Sequence, residues 1–208
     1  MQVETLTATT MLICLTCFFI VNLHNILRVH KQRGSARVYA ETEHPSGTAV
    51  TVAGICTLIY FIEVFSYLLL AFANPSLLQN SLTFSYQCSY MVILQTLGIV
   101  LTLMGYFLFL WSVIARGRYA TSWSMPENHR LVTWGPYKHV RNPSYSSYFL
   151  MFIGLFTVWP SLFTLVPLAA VPGYSRVALK EEELLTKRFG NEYLEYMRKT
   201  GRFLPKLR

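Results

Sequence analysis

Long apolar runs alternate along this chain with short polar segments, and every Lys and Arg lies in the polar segments. The first three apolar runs cover about residues 5–27, 48–73 and 86–115. Each is at least as long as the roughly 20 residues that a helix needs to cross a bilayer. The pattern therefore predicts three membrane-spanning helices within residues 1–115.

A fourth apolar stretch covers residues 145–171 and is interrupted by Pro160. One straight helix through this proline would lose a backbone hydrogen bond and clash with the preceding turn. The sequence therefore predicts a helical hairpin that turns at Pro160. Its first arm is 143–159, and its second arm starts at Ser161 and leads into a charged amphipathic helix over 176–189. The expected fold is all-α, with five transmembrane helices in one integrated domain.

The cationic residues indicate the orientation of these spans. They fall in three segments, at 28–37, 116–141 and 176–208. Lys and Arg accumulate on the cytoplasmic side of membrane proteins. Five spans place all three segments in the cytoplasm and the N-terminus outside, whereas an even number would put one cationic segment outside.

Composition supports a membrane protein and excludes several other classes. The chain is 53% hydrophobic and 13% charged, against roughly 25% charged in soluble domains. The net charge is +8. The cationic residues flank apolar runs and form no basic, aromatic-rich patch, so anionic lipid headgroups are a more suitable partner for them than nucleic acid. The absence of Asp excludes the usual EF-hand and a Ser/His/Asp triad. No metal is expected, and the protein is expected to be a monomer.

The richest polar segment, residues 129–145, reads HRLVTWGPYKHVRNPSY. It contains a Gly135-Pro136 turn and precedes a helix for which Asn142 is a candidate cap and Pro143 a suitable first residue. Backbone N–H groups at such a helix start can bind a ligand, and the aromatic residues can stack on a base. The alternative is an ordinary interfacial loop.

Acidic residues form a second candidate group. Three adjacent carboxylates, Glu181 to Glu183, stand near the expected membrane boundary, where a cationic ligand such as a sulfonium would be a natural partner. The alternative is a solvated helix face. Glu63, the only acidic residue inside a span, is either functional or hydrogen-bonded within the bundle. Without a GxGxxG or P-loop motif, a nucleotide-like cofactor needs a non-Rossmann pocket.

Two segments together carry a family resemblance: LVTWGPYKHVRNPSYSSYF, and after the predicted hairpin EEELLTKRFGNEYLEYMRKTGRFLP. They resemble the isoprenylcysteine carboxyl methyltransferase family and its phospholipid N-methyltransferase relatives. One departure is Asn142, which stands where the family has His. The resemblance implies an integral membrane enzyme with S-adenosylmethionine (AdoMet) as cofactor, bound in a cytoplasmic pocket formed by residues 116–208.

The resemblance also implies roles for individual residues. Those expected to bind the cofactor are Ser122, His129, Arg130, Leu131, Val132, Tyr137, Asn142, Pro143, Ser144, Tyr145 and Glu181. Those expected to be catalytic are Arg176, Arg141 and Glu182. A carboxylate acceptor needs one of the arginines to orient it, whereas an amine acceptor needs a base such as Glu181 or Glu182.

The implied reaction is methylation of the C-terminal carboxylate of a prenylated cysteine. The alternative is N-methylation of a phospholipid headgroup. Remoter alternatives are a sterol-reductase-like enzyme with a nicotinamide cofactor, and a non-enzymatic membrane scaffold or small transporter. Each of these enzyme hypotheses requires the hairpin to bring the RNPSY segment, residues 141–145, close to the glutamates.

Overall fold

Three long apolar helices dominate the N-terminal half of the protein in its computed structural model, which describes residues 2–33, 38–41, 47–81, 90–117, 124–126 and 130–206. They are α1 (Gln2–Arg33), α2 (Thr48–Ala73) and α4 (Tyr90–Arg116). Each contains a segment that is long and apolar enough to cross a membrane. These helices place the protein in the membrane, and they confirm the predicted helical runs within residues 1–115.

A short helix lies in the segment between the second and third apolar runs. Helix α3 (Pro75–Asn80) forms there because Asn74 and Pro75 supply good start signals. The Asn74 side-chain oxygen accepts a hydrogen bond from the Leu77 N–H at 3.1 Å.

The chain returns at Pro160, as predicted. Helix α5 (Pro143–Val158) ends before it, and the hydroxyl of Thr164 donates to the Trp159 carbonyl at 2.7 Å and so closes the turn. The second arm differs from the expected α-helix, since it is a 3₁₀ helix over Phe163–Ala170 that leads directly into α6 (Val171–Phe189). Pro167 has no N–H to donate within this arm.

The last helix, α7 (Asn191–Lys199), starts directly after Gly190. Gly190 has φ +54°, a conformation that glycine adopts without steric cost. The predicted end of the amphipathic helix at residue 189 is confirmed. Asn191 lies in the first turn of α7, because Gly190 occupies the capping position.

The described parts of the three cationic segments lie at one end of the bundle. Strand β1 (Val38–Glu41), after α1, pairs antiparallel with β2 (Ser124–Pro126), after α4. The Trp134 indole N–H donates to the Ala115 carbonyl at 2.9 Å, which brings the loop before α5 to the same end. Apart from these two short strands the described fold is helical, so the all-α class is confirmed. Five crossings and the side that this end faces stay predictions, since α5 has only 16 residues.

Close packing of α5 on α4 sets the position of the loop that precedes α5. A Cβ at Gly105 would lie 2.8 Å from the Met151 Cγ, and a Cβ at Gly98 would lie 2.7 Å from the Val158 Cγ2. Small residues let helix backbones approach closely in membranes, where van der Waals packing drives association. The end of α4 and the start of α5 are therefore fixed relative to each other.

Candidate functional site

The segment before α5 is held by the C-terminal tail of the chain. Backbone N–H groups of Arg141 and Asn142 donate to the carbonyls of Gly201 and Arg202, at 2.8 and 3.0 Å. The Ser146 hydroxyl donates to the Phe203 carbonyl at 2.6 Å. The two segments that carry the family resemblance are therefore joined by backbone hydrogen bonds.

A buried ion cluster centred on Glu182 strengthens this junction. The Glu182 carboxylate accepts from Arg141 Nε at 2.9 Å and from Arg202 Nη2 at 2.9 Å. Asn142 Nδ2 donates to the same carboxylate at 3.3 Å, and makes no capping bond to α5. Arg141 also donates through Nη1 to the carbonyls of Met197 and Thr200. Glu182 thus connects α6, the start of α5 and the tail.

Glu181 faces a different group of side chains. Its carboxylate accepts a hydrogen bond from the Tyr145 hydroxyl at 3.0 Å. The Tyr145 ring lies 5.0 Å from the ring of Tyr174, which stacks on Tyr148 at 5.4 Å. Burial raises the pKa of Glu181 to about 7, although the Tyr145 hydrogen bond and the charge of Arg116 act in the opposite direction. The predicted meeting of the RNPSY segment with the glutamates is therefore seen in the structure.

The remaining predicted cofactor residues line the same end of the bundle in different ways. Tyr137 is buried and its carbonyl accepts from the Tyr196 hydroxyl at 2.6 Å. Ser144 Oγ lies 2.8 Å from Ser112 Oγ of α4. Val132 and Pro143 are buried, Leu131 is partly buried and Arg130 is exposed. Ser122 and His129 lie outside the described residues.

Arg176 stands apart from this group. The buried face of α6 contains Gly173, Val177, Ala178 and Glu182, whereas Arg176 is exposed. No hydrogen bond or ion pair joins it to another side chain in the described parts of the chain. Its predicted contact with the substrate stays a prediction, and the structure places Arg141, not Arg176, beside the glutamates.

Sequence reasoning missed Arg116, the last residue of α4. Its Nε is buried and has no hydrogen-bond partner among the described residues. The sequence pattern places it only at the start of the second cationic segment. Its placement near Glu181 follows from the packing of α4 on α5, for which the sequence offers only the glycines as a signal.

Two other predictions concern polar groups elsewhere. Glu63 is buried in α2, and neither of its carboxylate oxygens has a hydrogen-bond partner in the described structure. The hydrogen-bonded alternative is therefore not found there. Within the described ranges no three His, Cys or Glu side chains lie close enough together to hold a metal ion.

The comparison with protein families agrees with the resemblance. Residues 93–192, from α4 to the start of α7, match the family model of the phospholipid methyltransferases. No curated protein sequence matches significantly. Among solved structures, the chain is similar to the eukaryotic intramembrane Ras methyltransferase (isoprenylcysteine carboxyl methyltransferase). The sequence identity is 15% and the TM-score is 0.48, and the match covers 98% of this chain and 96% of that one. The family match confirms the resemblance: residues 93–192, just under half of the chain, are similar to the phospholipid methyltransferases.

Proposed function

We propose that this protein uses AdoMet to methylate the C-terminal carboxylate of a prenylated cysteine at the cytoplasmic face of the membrane. The observation that carries the proposal is the 3.0 Å contact between the Tyr145 hydroxyl and Glu181. It joins the RNPSY segment to the glutamate segment, and these are the two segments that carry the family resemblance. A scaffold or a small transporter has no need for both at one place.

The side chains around this contact fit the chemistry of a sulfonium cofactor. Glu181 supplies a carboxylate, and the rings of Tyr145, Tyr174 and Tyr148 form a row beside it. Carboxylates and aromatic faces attract cations, most strongly where water is partly excluded. When bound, AdoMet supplies an electrophilic methyl group. The residues expected to hold it are Glu181, Tyr145, Ser144 and the 130–137 loop.

A carboxylate acceptor suits this site because it needs orientation and no base. At neutral pH a free carboxylate is already ionised, and its oxygen can attack directly. The protein must align that oxygen with the transferred methyl group, so positioning supplies much of the rate. Arg141 lies closest to the glutamates and is the better placed of the two predicted arginines, although its Nε is already paired with Glu182.

A second candidate reaction is N-methylation of a phospholipid headgroup. It is favoured by Glu181, whose pKa is raised to about 7 by burial. A carboxylate with this pKa is close to half ionised at neutral pH and can take the proton that an ammonium must lose before it becomes a nucleophile. The name of the matching family model points the same way.

Methyl transfer from labelled AdoMet by the full-length protein in lipid nanodiscs tests the proposal. The acceptors are acetyl-farnesylcysteine and phosphatidylethanolamine, and the matched control is acetyl-farnesylcysteine amide, which lacks the free carboxylate. We expect base-labile label on the free acid only. Base-stable label on the phospholipid would favour the second candidate, and no label on any acceptor would contradict methyl transfer to both classes.

A further inference from the structure

Arg116 is the last residue of α4, and its surroundings are described by the structure. The proposed reaction gives it no role. Its Nε is buried and has no hydrogen-bond partner among the described residues. A cation at a helix C-terminus is favourable, and this explains a positive charge at the position. It does not explain a buried donor left without an acceptor, which costs free energy comparable to a lost hydrogen bond.

The direction of the Arg116 side chain follows from its neighbours. Ser112 lies one turn earlier on the same face of α4 and is in hydrogen-bond contact with Ser144, in the first turn of α5. Arg116 therefore projects over the start of α5. There its charge acts on the Tyr145 hydroxyl and on the Glu181 carboxylate.

Arg116 is near these groups without being neutralised by them. In the described parts of the chain, the ion pairs at this end involve Glu182, which is paired with Arg141 and Arg202. Glu181 accepts from Tyr145, a neutral donor. The guanidinium is thus available beside the candidate site, and its planar fork matches the geometry of a carboxylate.

We infer that Arg116 binds a ligand carboxylate in the methyltransferase site. The inference rests on the proposed function, which brings two carboxylates to this place. One is the amino-acid end of the cofactor, and the other is the acceptor carboxylate. Both present the same chemistry to a guanidinium, so the experiment must separate them.

Calorimetric measurement of ligand binding to the full-length protein in detergent distinguishes the cofactor carboxylate from the acceptor carboxylate. S-adenosylhomocysteine carries the amino-acid carboxylate, whereas methylthioadenosine has the same adenosine and thioether without it. If Arg116 holds the cofactor, Arg116→Gln should lower the affinity for S-adenosylhomocysteine about 10- to 100-fold and leave the affinity for methylthioadenosine unchanged. If it holds the acceptor, neither ligand changes and the KM for acetyl-farnesylcysteine rises by a similar factor.

Two further variants keep the result interpretable. Arg116→Lys retains the charge and loses the fork, so we expect an intermediate loss with the same ligand selectivity. Arg198→Gln removes an exposed arginine of α7 and should change neither binding nor KM. Equal weakening of both nucleosides, or no effect on binding and KM, would overturn the inference. Absence of nucleoside binding and of methyl transfer in the unmodified protein would instead contradict the proposed function.

Discussion

Truncation of Glu182 should destabilise the protein more than any other single change at the candidate site. The side chains of Glu182 and Arg141 are only 5% and 9% exposed, and their charged atoms are 2.9 Å apart. In Glu182→Ala the Arg141 guanidinium stays buried, and of its hydrogen bonds in the described structure only those to the Met197 and Thr200 carbonyls remain. Removing one partner of a buried ion pair costs about 3–5 kcal/mol of folding free energy, because the other charge is left uncompensated.

Arg202→Ala is the matched control, since it breaks the other arm of the same ion cluster. The Arg202 side chain is 35% exposed, so water compensates part of what is lost. Glu182 retains Arg141 and Asn142 in this variant. Partly exposed pairs contribute about 1 kcal/mol or less, and we expect a loss nearer that value.

Thermal unfolding in detergent, followed by circular dichroism, measures both losses. For a chain of this size, 3–5 kcal/mol corresponds to a fall in Tm of roughly 6–20 °C, whereas the control should fall by only a few degrees. Glu182→Gln should lie between them, because its amide keeps some of the hydrogen bonds without the charge. Equal shifts for Glu182→Ala and Arg202→Ala would refute the assignment of Glu182 as the centre of a buried cluster.

The remaining predictions concern the cofactor, the pH dependence of stability, the acceptor and the packing. Because the pKa of Glu181 is raised to about 7, its ionised fraction rises from about 10% to about 90% between pH 6 and 8. The affinity for AdoMet, measured by calorimetry, should therefore rise about tenfold over this range. Glu181→Gln should remove the rise. Because the pKa is raised from its ordinary value of 4.5, the contribution of Glu181 to folding stability is fully present below pH 4.5 and is lost as the pH rises from there through about 7. Tm measurements on the unmodified protein and on Glu181→Gln can test this. Arg176→Ala should lower turnover with S-adenosylhomocysteine affinity unchanged; unchanged turnover would leave Arg141 as the substrate arginine. Gly105→Leu should lower Tm, because its side chain would meet Met151, whereas Gly54→Leu, with open space around it, should not.

The helices and the return of the chain were predictable because their signals are local. The length of an apolar run fixes how far a helix can extend, and Pro160 cannot continue one. The 3₁₀ form of the second arm was not predictable from these signals. Residues 163–170 pack against α2, and a short apolar run has no periodicity that distinguishes the two helix types.

The candidate site was predictable at the level of segments and much less at the level of side chains. The resemblance predicts that residues 142–145 and the glutamates lie close together. It gave no sign that Asn142 would donate to Glu182, or that Arg202 would complete the ion cluster. Those contacts depend on the tail at residues 200–203, which pairs with the chain 60 residues earlier through backbone groups that every sequence has.

The adjacent residues Glu181 and Glu182 show why the site needs two carboxylates in sequence. Neighbouring residues on an α-helix project about 100° apart, so α6 presents Glu182 to Arg141 and Arg202 and presents Glu181 to Tyr145. Rotation of α6 about its axis would break the buried ion pairs. The cluster around Glu182 therefore holds Glu181 at a fixed position beside the tyrosines, where its charge can meet a cationic ligand. On this argument a carboxylate at position 182 supports activity through the placement of its neighbour, and Glu182→Gln should lower the affinity for AdoMet even if the amide itself never touches the cofactor.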